Sequence, residues 1–386
     1  MINASELLSS RARTIPPSKM TAFFNLAPDV ISLAIGEPGF PTPLSIGNGG
    51  IEAIKAGKTS YPPSSGYGDL REKTAKYLAD RFHYSYSPDE VLITNGASLG
   101  LDGIMRTYIE AGDEVIIPAP AYGYYLSLVC LSGGKAVLAP TYAKDHWALT
   151  AEELKKAITP RTKMLVLNYP NNPTGATMTN TQLAAIADII RDTDMIVVSD
   201  EVYAECVFTN LHRSILNHPD MRERTLLVSS FSKSMAMAGW RIGYVCAPRD
   251  LLDPVAALNA TVALCASGIA QSAVLRGLTC GHKDIEYMSE EYRIRRDYAW
   301  NRIQEFGWKC ALPRGAFYLW VDISPTGMDA ESFAHGLIAK AKVAIIPGTV
   351  FGEDYSNYVR ITCSASMDIL REALNRIDEY CGHLRP

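Results

Sequence analysis

Lys233 is the natural starting point, because a lysine becomes a nucleophile only when its neighbours make it one. It follows the apolar run Thr225–Ser229 within Ser230-Phe231-Ser232-Lys233-Ser234, and Arg241 follows in Gly239-Trp240-Arg241-Ile242-Gly243. Burial and a nearby permanent cation both lower the pKa of an amine. Ser230, Ser232 and Arg241 together form a clamp for a phosphate. Asp200 ends the run Met195–Ser199, where a carboxylate can hold a protonated ring nitrogen, and Tyr203 can donate to a second ring substituent. Lys163–Asn168 leads into Tyr169-Pro170-Asn171-Asn172-Pro173-Thr174-Gly175, whose prolines fix the backbone and whose Asn172 offers an amide. Glu90–Thr94 ends at Asn95-Gly96-Ala97-Ser98, a helix start whose free N–H groups suit an anion. Taken singly, a lysine is usually solvated, an aspartate caps a helix and Asn-Pro turns a loop. At successive strand ends, these residues together describe a site for pyridoxal 5′-phosphate held on Lys233 as a Schiff base.

Two shorter matches point elsewhere. Gly96-Ala97-Ser98-Leu99-Gly100 fits the nucleophile elbow of a serine hydrolase, with Ser98 as nucleophile and His335 or His383 as base by chain order. No His-Gly-Gly-type oxyanion segment precedes it. Ser230-Phe231-Ser232-Lys233 fits Ser-x-x-Lys, but Ser199-Asp200-Glu201 stands in place of Ser-Asp-Asn and no Lys-Thr-Gly is present. Degenerate patterns of this kind arise by chance in a chain of 386 residues.

The elements that must position these groups alternate. Short runs rich in Val, Ile and Leu at Glu90–Thr94, Glu114–Pro118, Lys135–Leu138, Lys163–Asn168, Met195–Ser199, Thr225–Ser229 and Ile242–Cys246 read as buried strands. Helical patterns at Leu99–Ile109, Ala121–Leu131, Ala151–Ala157 and Asn180–Arg191 lie between them. This order predicts an α/β fold whose large domain, 43–286, has a mostly parallel sheet with helices on both faces. The C-terminal part reads as α+β: a charged helix over Asp284–Phe306, strands at Ala316–Val321, Val343–Ile346 and Tyr358–Thr362, and a helix over Ser366–Tyr380. The Pro- and Gly-rich segment up to Thr42 precedes the first good helix, and a domain boundary is expected near Glu286.

Composition narrows the class. Lys+Arg number 37 against 41 Asp+Glu, a net charge of −4 that lacks the basic footprint of a nucleic-acid binder. With 47% hydrophobic and 20% charged residues the chain can bury a core, so disorder is not expected. No apolar stretch is long enough to span a membrane, and Met1 to Arg13 lack the apolar core of a secretory signal. A cytoplasmic location is expected. The eight cysteines form no Cys-x-x-Cys pair and read as buried thiols. The seven histidines show no metal-ligand spacing, so no metal site is expected.

With these motifs in order, the chain resembles the class I/II aminotransferases of the aspartate aminotransferase family, fold type I of the pyridoxal-phosphate enzymes. The resemblance runs from Ile35-Gly36-Glu37-Pro38 to Val359-Arg360-Ile361-Thr362 and is most specific at Asn171-Asn172-Pro173-Thr174-Gly175, Ser199-Asp200-Glu201-Val202-Tyr203 and the Lys233–Arg241 region. It implies Lys233 as Schiff-base lysine and proton shuttle, Asp200 on the pyridine nitrogen, and Asn172 and Tyr203 on the ring oxygen. It also implies Ala97, Ser98, Ser230 and Arg241 on the phosphate and Tyr122 stacked on the ring. Arg360, the Gly36 backbone and Asn172 would bind the substrate α-carboxylate. Tyr61 would reach the phosphate of a neighbouring subunit, which implies a homodimer with shared sites. The small domain would combine 1–42 with 287–386. The expected reaction moves an amino group from an L-amino acid to a 2-oxo acid such as 2-oxoglutarate, with ping-pong kinetics.

Residue order is similar to the bacterial branch holding aromatic and N-acetyl-diaminopimelate aminotransferases. Tyr122 stands where many aspartate-preferring relatives have Trp, and no cation for a distal carboxylate is identifiable. Ile15 and Tyr122 are expected to wall an apolar side-chain pocket. The same Lys, Asp and Arg serve related lyases, such as C–S lyases and aminocyclopropane carboxylate synthases, so elimination remains an alternative reading alongside the distant one of a Ser98 hydrolase.

Overall fold

The computed structural model describes residues 7–9, 12, 13, 15, 19–24, 26–208 and 211–382. A two-residue strand, Ile31–Ser32 (β1), precedes seven strands that form one sheet: Val91–Thr94 (β2), Glu114–Ala119 (β3), Lys135–Pro140 (β4), Thr162–Asn168 (β5), Ile196–Asp200 (β6), Thr225–Ser230 (β7) and Gly243–Cys246 (β8). All seven expected strands form, with ends shifted by a residue or two. Their order is β2-β8-β7-β6-β5-β3-β4, and every pair is parallel except those made by β8, which runs antiparallel to both neighbours. Strands β2, β3 and β7 are buried at every position, as expected where helices cover both faces.

Register sets the site. Asn168 at the end of β5 lies beside Asp200 at the end of β6, and Asp200 lies beside Val228 of β7. Gly243, the first residue of β8, pairs with both Thr94 and Ser230. The helix Gly96–Tyr108 after β2 and the short helix Phe231–Ser234 after β7 therefore begin on either side of one strand. Four chain segments distant in sequence reach the same edge of the sheet, where open α/β folds bind ligands.

The smaller α+β unit holds Lys309–Cys310 (β9), Tyr318–Asp322 (β10), Val343–Ala344 (β11), Ile346–Pro347 (β12) and Tyr358–Thr362 (β13). Strand β13 lies between β12 and β10, and β9 extends the sheet beyond β10. The run expected as one strand, Val343–Ile346, divides at Ile345. Its first half pairs with β1 (Ile31↔Val343) and its second with β13 (Ile346↔Arg360). A run apolar at every position carries no signal of which neighbour each residue will meet. The expected boundary at Glu286 falls within one continuous helix, His282–Glu305. Helices Leu44–Lys55, Gly68–Phe82, Arg249–Ala263 and Gly268–Cys280 form where the residue pattern gives no clear helical signal. The first carries three glycines at buried positions and the third an internal proline, both poor helix formers. No helix among the described residues is long and apolar enough to cross a membrane.

Candidate active site

A cleft of about 480 Å³ opens at the shared edge of the large sheet, against β10 and β13 of the small unit. It is lined by Gly36, Ala97, Ser98, Tyr122, Asn172, Asp200, Tyr203, Ser230, Lys233, Arg241 and Arg360. Tyr61 is outside it and 84% exposed. Ile15 is also outside; Met20 and Phe24 of the N-terminal segment line the cleft instead.

Lys233 sits on the one-turn helix after β7, whose first N–H groups are capped by Ser230 Oγ accepting from Ser232 N (3.0 Å). Its Nζ donates to the Gly36 carbonyl oxygen at 2.6 Å. Burial pulls the ammonium down to about 8; Glu37 and Cys206 oppose this, while Arg360 and Arg241 reinforce it. Asp200 is buried, and its Oδ2 accepts from Tyr125 Oη at 2.7 Å and its Oδ1 from Val202 N at 3.2 Å. Burial pushes its carboxyl up to about 6 against both of these hydrogen bonds. A cationic partner entering beside Asp200 would favour its charged form again.

The loop after β5 is tied down by its own asparagines: Asn172 N donates to Asn168 Oδ1 (3.0 Å) and Thr174 N to Asn171 Oδ1 (3.1 Å). Asn172 Oδ1 in turn accepts from Arg360 Nη1 at 2.9 Å. Arg360 is 1% exposed, also donates to the Ala34 carbonyl, and spreads over the rings of Tyr318 and Phe351 at 4.5 and 5.0 Å. Its Nε has no hydrogen-bond partner among the described residues. A buried guanidinium with an unused donor is prepared for a carboxylate.

At the far end, Gly96 (φ +78°) opens the helix Gly96–Tyr108, and the N-cap Asn95 makes no side-chain cap. A Cβ at Gly96 would run into the guanidinium of Arg241, so glycine allows helix start and cation to approach each other. Unclaimed N–H groups, Arg241 and the Ser230–Ser232 hydroxyls form a cradle for a phosphate. Phosphate cradle, buried carboxylate and depressed lysine occupy one cleft in the arrangement pyridoxal 5′-phosphate requires, so the residues present fit that cofactor.

The family model described as aminotransferase class I and II matches residues 28–377. The chain belongs to this family. Putative aminotransferase YugH of Bacillus subtilis (strain 168) is 40% identical over 377 residues, covering 97% of this chain and 98% of the relative. A probable N-acetyl-LL-diaminopimelate aminotransferase of the same organism is 38% identical, covering 97% and 95%. The solved aromatic aminotransferase of Pyrococcus horikoshii OT3 superposes with a TM-score of 0.89 at 37% identity, covering 94% of this chain and 99% of that one. Members of the family are pyridoxal-phosphate enzymes of fold type I.

In this aminotransferase the hydrolase pattern has no histidine base among the described residues of the cleft. Ser98 lines the cleft, but no described histidine does, and His335 is exposed on the partly buried helix Ala330–Gly336, beside Glu331 and Phe23. His383 lies outside the described residues.

Three groups of the site carry no decisive signal in the sequence. Tyr125 stands three residues beyond Tyr122 in a run of tyrosines, and only the fold shows which of them meets Asp200. Tyr318 meets Tyr203 from a strand more than a hundred residues away. Glu201, next to Asp200, is buried with a full set of partners: Ser199 Oγ (2.7 Å), Ser214 Oγ (2.5 Å) and Tyr84 Oη (2.8 Å) donate to it, and His212 Nε2 lies at 2.8 Å. Burial raises the Glu201 carboxyl, but His212 and the two serines outweigh that and hold it below the ordinary range. A Ser-Asp-Glu sequence contains a partial signal, since two adjacent carboxylates at a buried strand end each need donors.

Proposed function

We propose that this aminotransferase carries pyridoxal 5′-phosphate on Lys233 and moves the amino group of an L-amino acid with a bulky apolar or aromatic side chain to a 2-oxo acid such as 2-oxoglutarate, with ping-pong kinetics. The supporting observation is the convergence in one cleft of Lys233, Asp200, the Gly96–Arg241 cradle and the Arg360–Asn172 pair. When bound, the cofactor supplies an electron sink next to the substrate's amino-bearing carbon. Asp200 would hold the proton on its ring nitrogen, and Asn172 and Tyr203 would donate to its ring oxygen. Ala97, Ser98, Ser230 and Arg241 would hold its phosphate, and Tyr122 would pack on its ring. Arg360 and the Gly36 backbone orient the α-carboxylate, with Asn172 beside them. Lys233 Nζ, at a pKa of about 8, takes and returns the Cα proton. At pH 7.5 about a quarter of such an amine is neutral, against about one part in a thousand at the ordinary lysine value.

Side-chain choice follows from what is left over. Lys233, Arg241 and Arg360 are the cations among the described lining residues, and each already has a role. Met20, Phe24, Ile35 and Tyr122 offer apolar surface. The exposed Tyr61 supports a homodimer in which it reaches the partner's phosphate. Pairing of Ile31 with Val343 supports a small domain made of 1–42 with 287–386 closing on a large one of 43–286.

Borohydride reduction followed by peptide mapping tests the core. A pyridoxyl adduct on Lys233 is expected, and its absence from the chain would defeat the reading. A panel of amino acids with 2-oxoglutarate then identifies the donor, with aromatic and other bulky donors expected ahead of aspartate. Pyruvate and ammonia formed without any added 2-oxo acid acceptor would instead indicate a lyase.

A further inference from the structure

The Tyr203 and Tyr318 hydroxyls lie 2.6 Å apart, and both residues are buried and line the cleft. They come from different units: Tyr203 from the turn after β6, Tyr318 from the start of β10. Both rings also pack on Phe317, Tyr203 edge to face at 5.4 Å and Tyr318 tilted at 5.0 Å. Each phenol has one proton. If Tyr203 gives its proton to the ring oxygen of the cofactor, its own oxygen must accept, and Tyr318 is placed to donate to it. The chain then runs in one direction, from Tyr318 through Tyr203 to the ring oxygen, and such chains strengthen each member.

Tyr318 also contacts the carboxylate end of the cleft. The Arg360 guanidinium stands 4.5 Å over its ring, which draws charge from the phenol and makes it a better donor. A Cβ on Gly36 would overlap the Tyr318 hydroxyl itself, so this oxygen touches the segment whose carbonyl accepts from Lys233. We propose that Tyr318 is a positioning residue for amino transfer. Its hydroxyl holds Tyr203 on the ring oxygen and ties that contact to the Arg360–Gly36 carboxylate site. This rests on the cofactor reading above.

The titratable and charged groups facing the two phenols are Asp200 of β6, Tyr122 and Tyr125 after β3, Cys206 after β6 and Arg360 of β13, with Lys233, Glu37 and Arg241 in the same cleft. None is altered by Tyr318→Phe, which also keeps the ring beneath Arg360. In the holoenzyme, the visible band shifts with pH as a proton leaves the Lys233 nitrogen. A donor on the ring oxygen stabilises the deprotonated side, so weakening Tyr203 raises the midpoint.

The test is a spectrophotometric pH titration of the wild-type holoenzyme, Tyr318→Phe, Tyr203→Phe and the double variant. Tyr318→Phe is expected to raise the midpoint by about 0.5 pH unit, roughly threefold in the equilibrium. In the Tyr203→Phe background the same change should have almost no effect, because its route is gone. No shift in the wild-type background, or an equal shift in both, overturns the proposal. Should Tyr318→Phe fail to fold, 3-fluorotyrosine in place of Tyr318 keeps the hydroxyl and strengthens it as a donor. The midpoint must then fall, and an unchanged or raised value refutes the role. A wild-type protein with no visible band and no adduct on Lys233 removes the cofactor reading, and this inference with it. A normal band that ignores Tyr318 removes the inference alone.

Discussion

Replacing Arg360 with lysine tests how the cleft reads a substrate. The wild-type guanidinium gives one donor to Asn172 and one to the Ala34 carbonyl, and leaves Nε unused. Its planar fork can turn two donors toward a carboxylate while remaining supported from behind. A lysine ammonium is a point charge on a flexible stem and cannot hold Asn172, Ala34 and two carboxylate oxygens at once. One charge-assisted hydrogen bond lost in a buried site costs about 1.5–3 kcal/mol. At 1.4 kcal/mol per tenfold, Arg360→Lys should lower kcat/KM by about ten- to a hundredfold, mostly through KM. Because every amino acid carries the same α-carboxylate, the loss should be nearly equal for aromatic, aliphatic and acidic donors. The assay is steady-state amino transfer over such a panel, with the visible cofactor band and circular dichroism confirming a loaded, folded protein. An unchanged KM refutes the assignment, and so does a loss confined to one side-chain class, which would place Arg360 on the side chain.

Lys233→Met should stabilise the cofactor-free protein near pH 7. The folded-state pKa of about 8 lies below the ordinary lysine value, so the unfolded chain binds the extra proton between about 8 and 10.5 and wild-type stability rises with pH across that window. A gain in Tm of roughly 2–4 °C at pH 7, fading toward pH 10, is expected by calorimetry; a gain independent of pH would assign it to packing. Tyr125→Phe removes a hydrogen bond that lowers Asp200, so the acid limb of kcat/KM should move upward by up to about one pH unit. A fixed acid limb would show that Asp200 does not set it. Glu201→Ala strands the donors of Ser199, Ser214, Tyr84 and His212, and denaturant titration should show a loss of about 3–5 kcal/mol, with Glu201→Gln milder. A loss below 1 kcal/mol would mean that solvent replaces the network.

The parts of the site legible in the sequence were those carried by short chain segments. Strand ends at Asn168, Asp200 and Ser230, the Asn95–Ser98 helix start and the Lys233–Arg241 spacing are local patterns, and the cleft brings all of them together. Strand β8 was visible as a strand but not as antiparallel, since direction depends on which neighbour it joins. The wall expected of Ile15 belongs to Met20 and Phe24, because the path of an irregular N-terminal segment follows packing rather than periodicity.

Residue chemistry and period alone determined that this chain would build an apolar α/β sheet with polar groups at its strand ends, since apolar runs and turn residues act over a few neighbours. Tertiary structure decided the pairings. The contacts of Tyr125 with Asp200, Tyr318 with Tyr203 and Arg360 with Asn172 span 75, 115 and 188 residues. A hydrogen bond depends on position within a few tenths of an ångström, and no local pattern specifies that across such separations.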